Sequence, residues 1–249
     1  MKTALVSGYL ATFFFYSLAF CFSVLRKQKP ENLAALAGLI ANTVSLILIV
    51  AWSGQAPAFH LFESLMLAAF ILAGVGISCS KQEEHLTDVR FWVWLEVLLL
   101  LGIAAFFDKT PSPYIYDHNY LYILLFHVIR IAVVSLTLFS SALYLQSRFD
   151  IRKSHSVSYQ RAYQGRNFLI LGALLFLTAE YVGIHWCLRG WGDIWQWSGG
   201  FFQSTLIVVF FMLAVHVPGS NHRPGNWRPR LGLLTGFLVL GLTVLRSIF

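Results

Sequence analysis

Residues 121–146 read LYILLFHVIRIAVVSLTLFSSALYLQ, an apolar run broken by only two basic side chains, His127 and Arg130. The hydrocarbon core of a bilayer is about 30 Å thick and is crossed by roughly 20 apolar residues in a helix. A run of this length with no glycine or proline reads as a transmembrane helix. Seven further runs can be laid out on either side of it, at 4–25, 33–52, 61–80, 91–107, 168–186, 201–217 and 231–249. The fourth and seventh spans are short, as suits helices that begin in the interface. The fifth is long, which predicts tilt or protrusion. The run 4–25 exceeds the roughly 7–15 residues of a signal-peptide core and lacks a small-residue cleavage site, so it is expected to be the first membrane helix. The predicted fold is all-α: a single integral membrane domain over 1–249, built from eight helices, with a tryptophan-rich loop at 187–200.

Composition agrees. Hydrophobic residues make up 57% of the chain and charged residues 12%, against about a quarter charged in soluble domains. So little charge cannot cover a globular surface, and lipid has to cover it instead. The net charge of +7 does not point to nucleic acid, because the cations sit in short loops between apolar runs and form no basic tail. Cys21, Cys79 and Cys187 are far apart and form no C-x-x-C, which excludes zinc-ribbon and covalent haem-attachment motifs. One set of loops holds thirteen Lys and Arg and the opposite set three. By the positive-inside rule the first set is cytoplasmic and both termini are non-cytoplasmic.

The outer loops then include 108–120 and 187–200. In the second, Trp191, Trp195 and Trp197 stand with Gly192, Gly199 and Gly200. Tryptophan belongs at the membrane interface. Three in a short, glycine-rich re-entry fit a shaped aromatic shelf for a flat apolar ligand such as a porphyrin or quinone. Among the eight histidines, His60, His118, His127 and His185 fall on the outer side, and His216 lies near the inner end of the seventh span. Imidazole inside an apolar helix is costly unless paired or ligated, and it is a common axial ligand of haem iron. Arg130 shares a helix face with His127 and needs a counter-charge. Glu63 or Glu180 would make a structural ion pair. Ligand carboxylates are the alternative, since guanidinium suits bidentate recognition. Glu96 has no partner evident from the sequence.

Three segments resemble the CcsA/CcmC-type haem-handling membrane proteins. His60-Leu61-Phe62-Glu63-Ser64-Leu65 looks like that family's short signature opening a helix. Phe126-His127-Val128 looks like its histidine-valine helix. Trp191-Gly192 with Trp195 and Trp197, then a span ending in His216 and Trp227-Arg228, looks like its haem-binding tryptophan loop. The resemblance implies haem b as cofactor, with His127 an outer axial ligand over the loop and His216 a membrane-embedded ligand nearer the cytoplasm. His185 is the first choice for the remaining position, followed by His60 and His118. Two departures stand out. Ser198 and Gly199 replace the aspartate and proline that follow the last tryptophan in the family, and no second outer histidine follows the loop.

The function expected from this reading is presentation of haem b on the outer face of a bacterial inner membrane, or its plastid equivalent, for attachment to apocytochrome c. The chain would then form part of a haem lyase with a separate membrane subunit. The alternative is a non-catalytic haem-b electron-transfer subunit or assembly factor. A cofactor-free transporter is disfavoured, because no repeat or pair of broken helices is present.

Overall fold

The computed structural model describes residues 2–82, 88–110, 120–150, 155–192, 199–216 and 227–248. These form eight α-helices: α1 (Lys2–Val24), α2 (Gln28–Ser53), α3 (Leu61–Gln82), α4 (Arg90–Ala104), α5 (Tyr120–Asp150), α6 (His155–Trp191), α7 (Gly199–His216) and α8 (Trp227–Ile248). Each predicted span coincides with one helix. Among the described residues, five helices are long and apolar enough to cross a membrane, and parts of α7 and α8 form shorter apolar helices. The chain is an all-α integral membrane protein. It packs as two compact units, Met1–Ile115 and Tyr116–Phe249.

In the first unit, α1 packs between α2 and α4, and α3 packs against α2 and α4. The α1–α2 turn is closed by Lys27 N–H donating to the Phe22 carbonyl at 2.9 Å and Arg26 N–H to that of Ser23 at 3.1 Å. This is a Schellman cap with Arg26 at the left-handed position, φ 55°. Tyr16 stacks on Trp94 with ring centroids 5.9 Å apart. It also lies so close to Gly38 that a Cβ there would approach the ring to 2.8 Å. Asn42 donates to the Met66 carbonyl at 3.2 Å, tying α2 to α3. Glu31 is buried. It accepts from Trp94 Nε1 at 2.9 Å and faces Arg90 Nε at 3.2 Å. Glu96 is also buried, and among the described residues neither of its carboxyl oxygens meets a hydrogen-bond partner.

The second unit is organised on an antiparallel α5–α6 pair. Ser140 Oγ donates to the Gly165 carbonyl and Ser158 Oγ to that of Ser147, each at 2.7 Å. Arg161 pairs with Asp150, and both side chains are buried. Gln146 Nε2 also donates to Asp150 at 3.0 Å. These contacts explain why α6 starts at His155 although its apolar stretch starts at 168. The polar first turns are held helical by their partner rather than by lipid. α8 lies on α5 through Gly232 and Gly236, a small-xxx-small seam that lets backbones approach closely. A Cβ at Gly232 would overlap the Tyr144 ring, and one at Gly236 would meet Ser141 Oγ and come within 2.8 Å of the Thr137 carbonyl.

Candidate functional site

The start of α5, the end of α6 and the start of α7 converge in the second unit. His127 is half-buried here, and its Nδ1 lies 2.8 Å from the Ile123 carbonyl oxygen. In the neutral imidazole that contact holds the proton on Nδ1 and places the lone pair on Nε2. The ring stands beside Trp186, with centroids 6.1 Å apart, and Phe126 lies 5.7 Å from the same indole. The close approach of α5 and α6 depends on Gly183, where a Cβ would come within 3.0 Å of the Phe126 ring.

Arg130 lies one turn deeper. Its guanidinium pairs with Glu180, donates to Ser204 Oγ at 2.6 Å, and sits between the rings of Phe126 and Phe176 at 4.8 and 4.9 Å. Ser204 in turn donates to Glu180 at 3.3 Å. The charge of Arg130 is thus neutralised by Glu180, one of the two acids named from sequence. The resulting knot joins α5, α6 and α7. Its aromatic walls had a sequence signal, because Phe126 and Phe176 each stand four residues before the charge on the same helix face. Ser204 and Trp186 had none.

His185 packs edge-on against Tyr181 at 4.7 Å and near Tyr122 at 6.1 Å. The exposed Arg189 lies 4.8 Å over Tyr122. Trp191 ends α6 and Gly192 follows at φ 73°, its N–H donating to the Leu188 carbonyl at 3.1 Å. That left-handed stop turns the chain into the tryptophan loop. Trp195, Trp197 and His118 lie outside the described residues. His60 is an exposed residue of the first unit. His216 is exposed at the far end of α7, with Nδ1 2.9 Å from the Met212 carbonyl oxygen. It is twelve residues beyond Ser204, about 18 Å along the helix. The arrangement therefore brings His127, Arg130, His185 and the start of the tryptophan loop to one end of the α5–α6 pair and leaves His216 at the other. A single iron cannot take both His127 and His216.

The donor set at the α5 end fits a haem. It offers one imidazole with its tautomer set for Nε2 ligation, flat aromatic side chains beside it, and an exposed guanidinium in Arg189. Among the described residues no group of three His, Cys, Asp or Glu could hold a bare metal ion.

No known protein-family description matches the chain. Protein NrfI of Wolinella succinogenes is 21% identical over 189 residues, covering 72% of this chain and 18% of NrfI. The solved structure of cytochrome c haem lyase CcmF superposes with a TM-score of 0.65 at 15% identity, covering 99% of this chain and 47% of CcmF. The chain therefore spans less than a fifth of NrfI and about half of CcmF, and it shares the fold of that part of the latter.

Proposed function

We propose that this protein handles haem b during cytochrome c maturation, holding it at the α5 end of the second unit. The observation that carries the reading is the anchoring of His127 by the Ile123 carbonyl beside Trp186, at the end of the helix pair from which the tryptophan loop departs. The shared fold with a cytochrome c haem lyase and the similarity to NrfI support the cytochrome c maturation part of this reading.

In this reading His127 would hold the iron through its imidazole, and Trp191, Trp195 and Trp197 with Gly192 would supply apolar surface for the flat ring. His185 would be the second residue to hold it. Arg130, already paired with Glu180, is a positioning residue that fixes the face on which His127 projects. His216 belongs to a separate site nearer the opposite membrane surface. Haem, when bound, supplies the vinyl carbons to which apocytochrome thiols add. The protein's own residues orient it and keep one face apolar. The α5 end faces the non-cytoplasmic side, and attachment needs a separate membrane subunit and apocytochrome c.

The purified chain should show a haem-b Soret band. His127→Ala should lower haem occupancy or shift the spectrum, while His155→Ala should change neither. Identical spectra for wild type and His127→Ala would remove the ligand assignment. The altered residues Ser198 and Gly199 favour a second reading, a haem-b electron-transfer subunit or assembly factor without lyase activity. Co-expression with an apocytochrome separates the two, because only a lyase component raises the yield of covalent cytochrome.

A further inference from the structure

Acids and bases divide unevenly along the chain. Residues 1–115 hold seven Lys and Arg and seven Asp and Glu, so the first unit is neutral. Residues 116–249 hold eleven cations and four acids and carry the whole net charge of +7. Eight of those eleven cations fall within 148–166 and 223–230, where α5 hands over to α6 and where α8 begins. The one acid in these stretches, Asp150, is buried against Arg161 and contributes nothing to the surface.

The helix register gathers exposed aromatic rings at the same end. Gly232 against Tyr144 and Gly236 against Ser141 set α8 antiparallel to α5, which brings Trp227 and Arg230 level with Arg148 and Phe149. The Ser158–Ser147 hydrogen bond puts Tyr159 at that level too. Phe149 is 57% exposed, Tyr159 56% and Trp227 65%, and the Arg230 guanidinium lies 5.5 Å over the Trp227 ring. Arg148 and Arg230 are exposed, and among the described residues no carboxylate pairs with either. The apolar run of α5 ends at 146 and that of α8 begins at 231. At about 1.5 Å per residue both arginines lie within a few ångströms of the hydrocarbon edge, inside a headgroup layer roughly 5–8 Å deep.

We propose that this end of the second unit is a binding site for anionic phospholipid. Arg148 and Arg230 pair with headgroup phosphate through charge-assisted, bidentate hydrogen bonds. The rings of Phe149, Tyr159 and Trp227 seat at the level of the headgroups, where amphipathic rings are stable. The depth of the two arginines favours lipid over an acidic protein segment, which would meet its cations beyond the headgroups. The site is independent of the haem reading and of which membrane surface this end faces.

The test reconstitutes the full chain in phosphatidylcholine vesicles carrying a trace of spin-labelled phosphatidylglycerol or spin-labelled phosphatidylcholine. The motionally restricted fraction of each label is read by electron paramagnetic resonance. The anionic label should be restricted preferentially, and the preference should shrink at high salt. Arg148→Gln and Arg230→Gln should each weaken association of the anionic label by up to about five-fold, while Arg148→Lys and Arg230→Lys, which keep the charge and lose the bidentate fork, should weaken it less. Arg26→Gln with Lys27→Gln, in the neutral unit, should leave the preference unchanged. Helical circular dichroism and a monodisperse elution profile confirm folding for each variant. Equal restriction of the two labels in wild type overturns the proposal. A preference that survives the combined Arg148→Gln and Arg230→Gln change also overturns it, and places the lipid contact elsewhere on the chain.

Discussion

Arg26 stands at φ 55° in the cap that ends α1, and it is the only non-glycine residue at positive φ among those described. An L-residue there places its Cβ against the following carbonyl, a strain of about 1–2 kcal/mol. Arg26→Gly is expected to raise stability by about 1 kcal/mol, checked by thermal unfolding in detergent; a fall would mean that the side chain makes a stabilising contact. Glu96 makes a second residue-scale case. Leaving a buried polar group without a partner costs about 1–3 kcal/mol, so Glu96→Met, of similar volume, should stabilise the protein by that order. Destabilisation by the same change would show that the carboxyl is held by a bound water or ligand. At His127 the residue type was legible in sequence, because imidazole in an apolar run carries its own signal. The neighbour that shapes its environment, Trp186, was not, since its place depends on the rotation of α6 about its axis.

Helix pairing is decided by small residues, and two changes on α8 separate packing from propensity. Gly236→Ala would drive a Cβ into Ser141 Oγ and to 2.8 Å from the Thr137 carbonyl, backbone that cannot move aside. Overpacking of this kind costs about 1–3 kcal/mol. Gly241, on the same helix, has open space where a Cβ would stand, with nothing within 4 Å, so Gly241→Ala should raise stability by about 0.5–1 kcal/mol through helix propensity alone. Equal effects at the two positions in thermal unfolding would refute the seam. The α5–α6 pair depends on a different device. Arg161 and Asp150 have side chains only 5% and 3% exposed, so Arg161→Ala strands a buried carboxylate and should cost about 3–5 kcal/mol. Hydrogen exchange should show that loss first in the opening turns of α6, because those turns are polar and have no lipid-facing reason to stay helical. The same polarity is why sequence placed the start of this span at 168.

At the scale of the whole molecule, the thirteen-to-three loop asymmetry predicts that reporters fused after Arg152 and after Phe249 report cytoplasmic and external locations respectively. Both on one side would sink the eight-span arrangement. Number, order and type of helices were legible from sequence alone. Lipid offers no hydrogen bonds, so each apolar run long enough to cross must satisfy its own backbone as a helix, and run length is a local property. That Arg130 needed an acid was legible for the same reason, since an uncompensated charge in an apolar run is costly wherever the run packs. Which acid answered was decided only in three dimensions. Glu180 stands fifty residues away, and the antiparallel register of α5 and α6, set by Gly165, Gly183 and the serine hydrogen bonds, brings it to the guanidinium together with Ser204 from a third helix. The separation of His127 from His216 and the gathering of exposed rings around Arg148 and Arg230 have the same origin. Each depends on how helices rotate and slide against one another, and that follows from side-chain packing between segments distant in the chain.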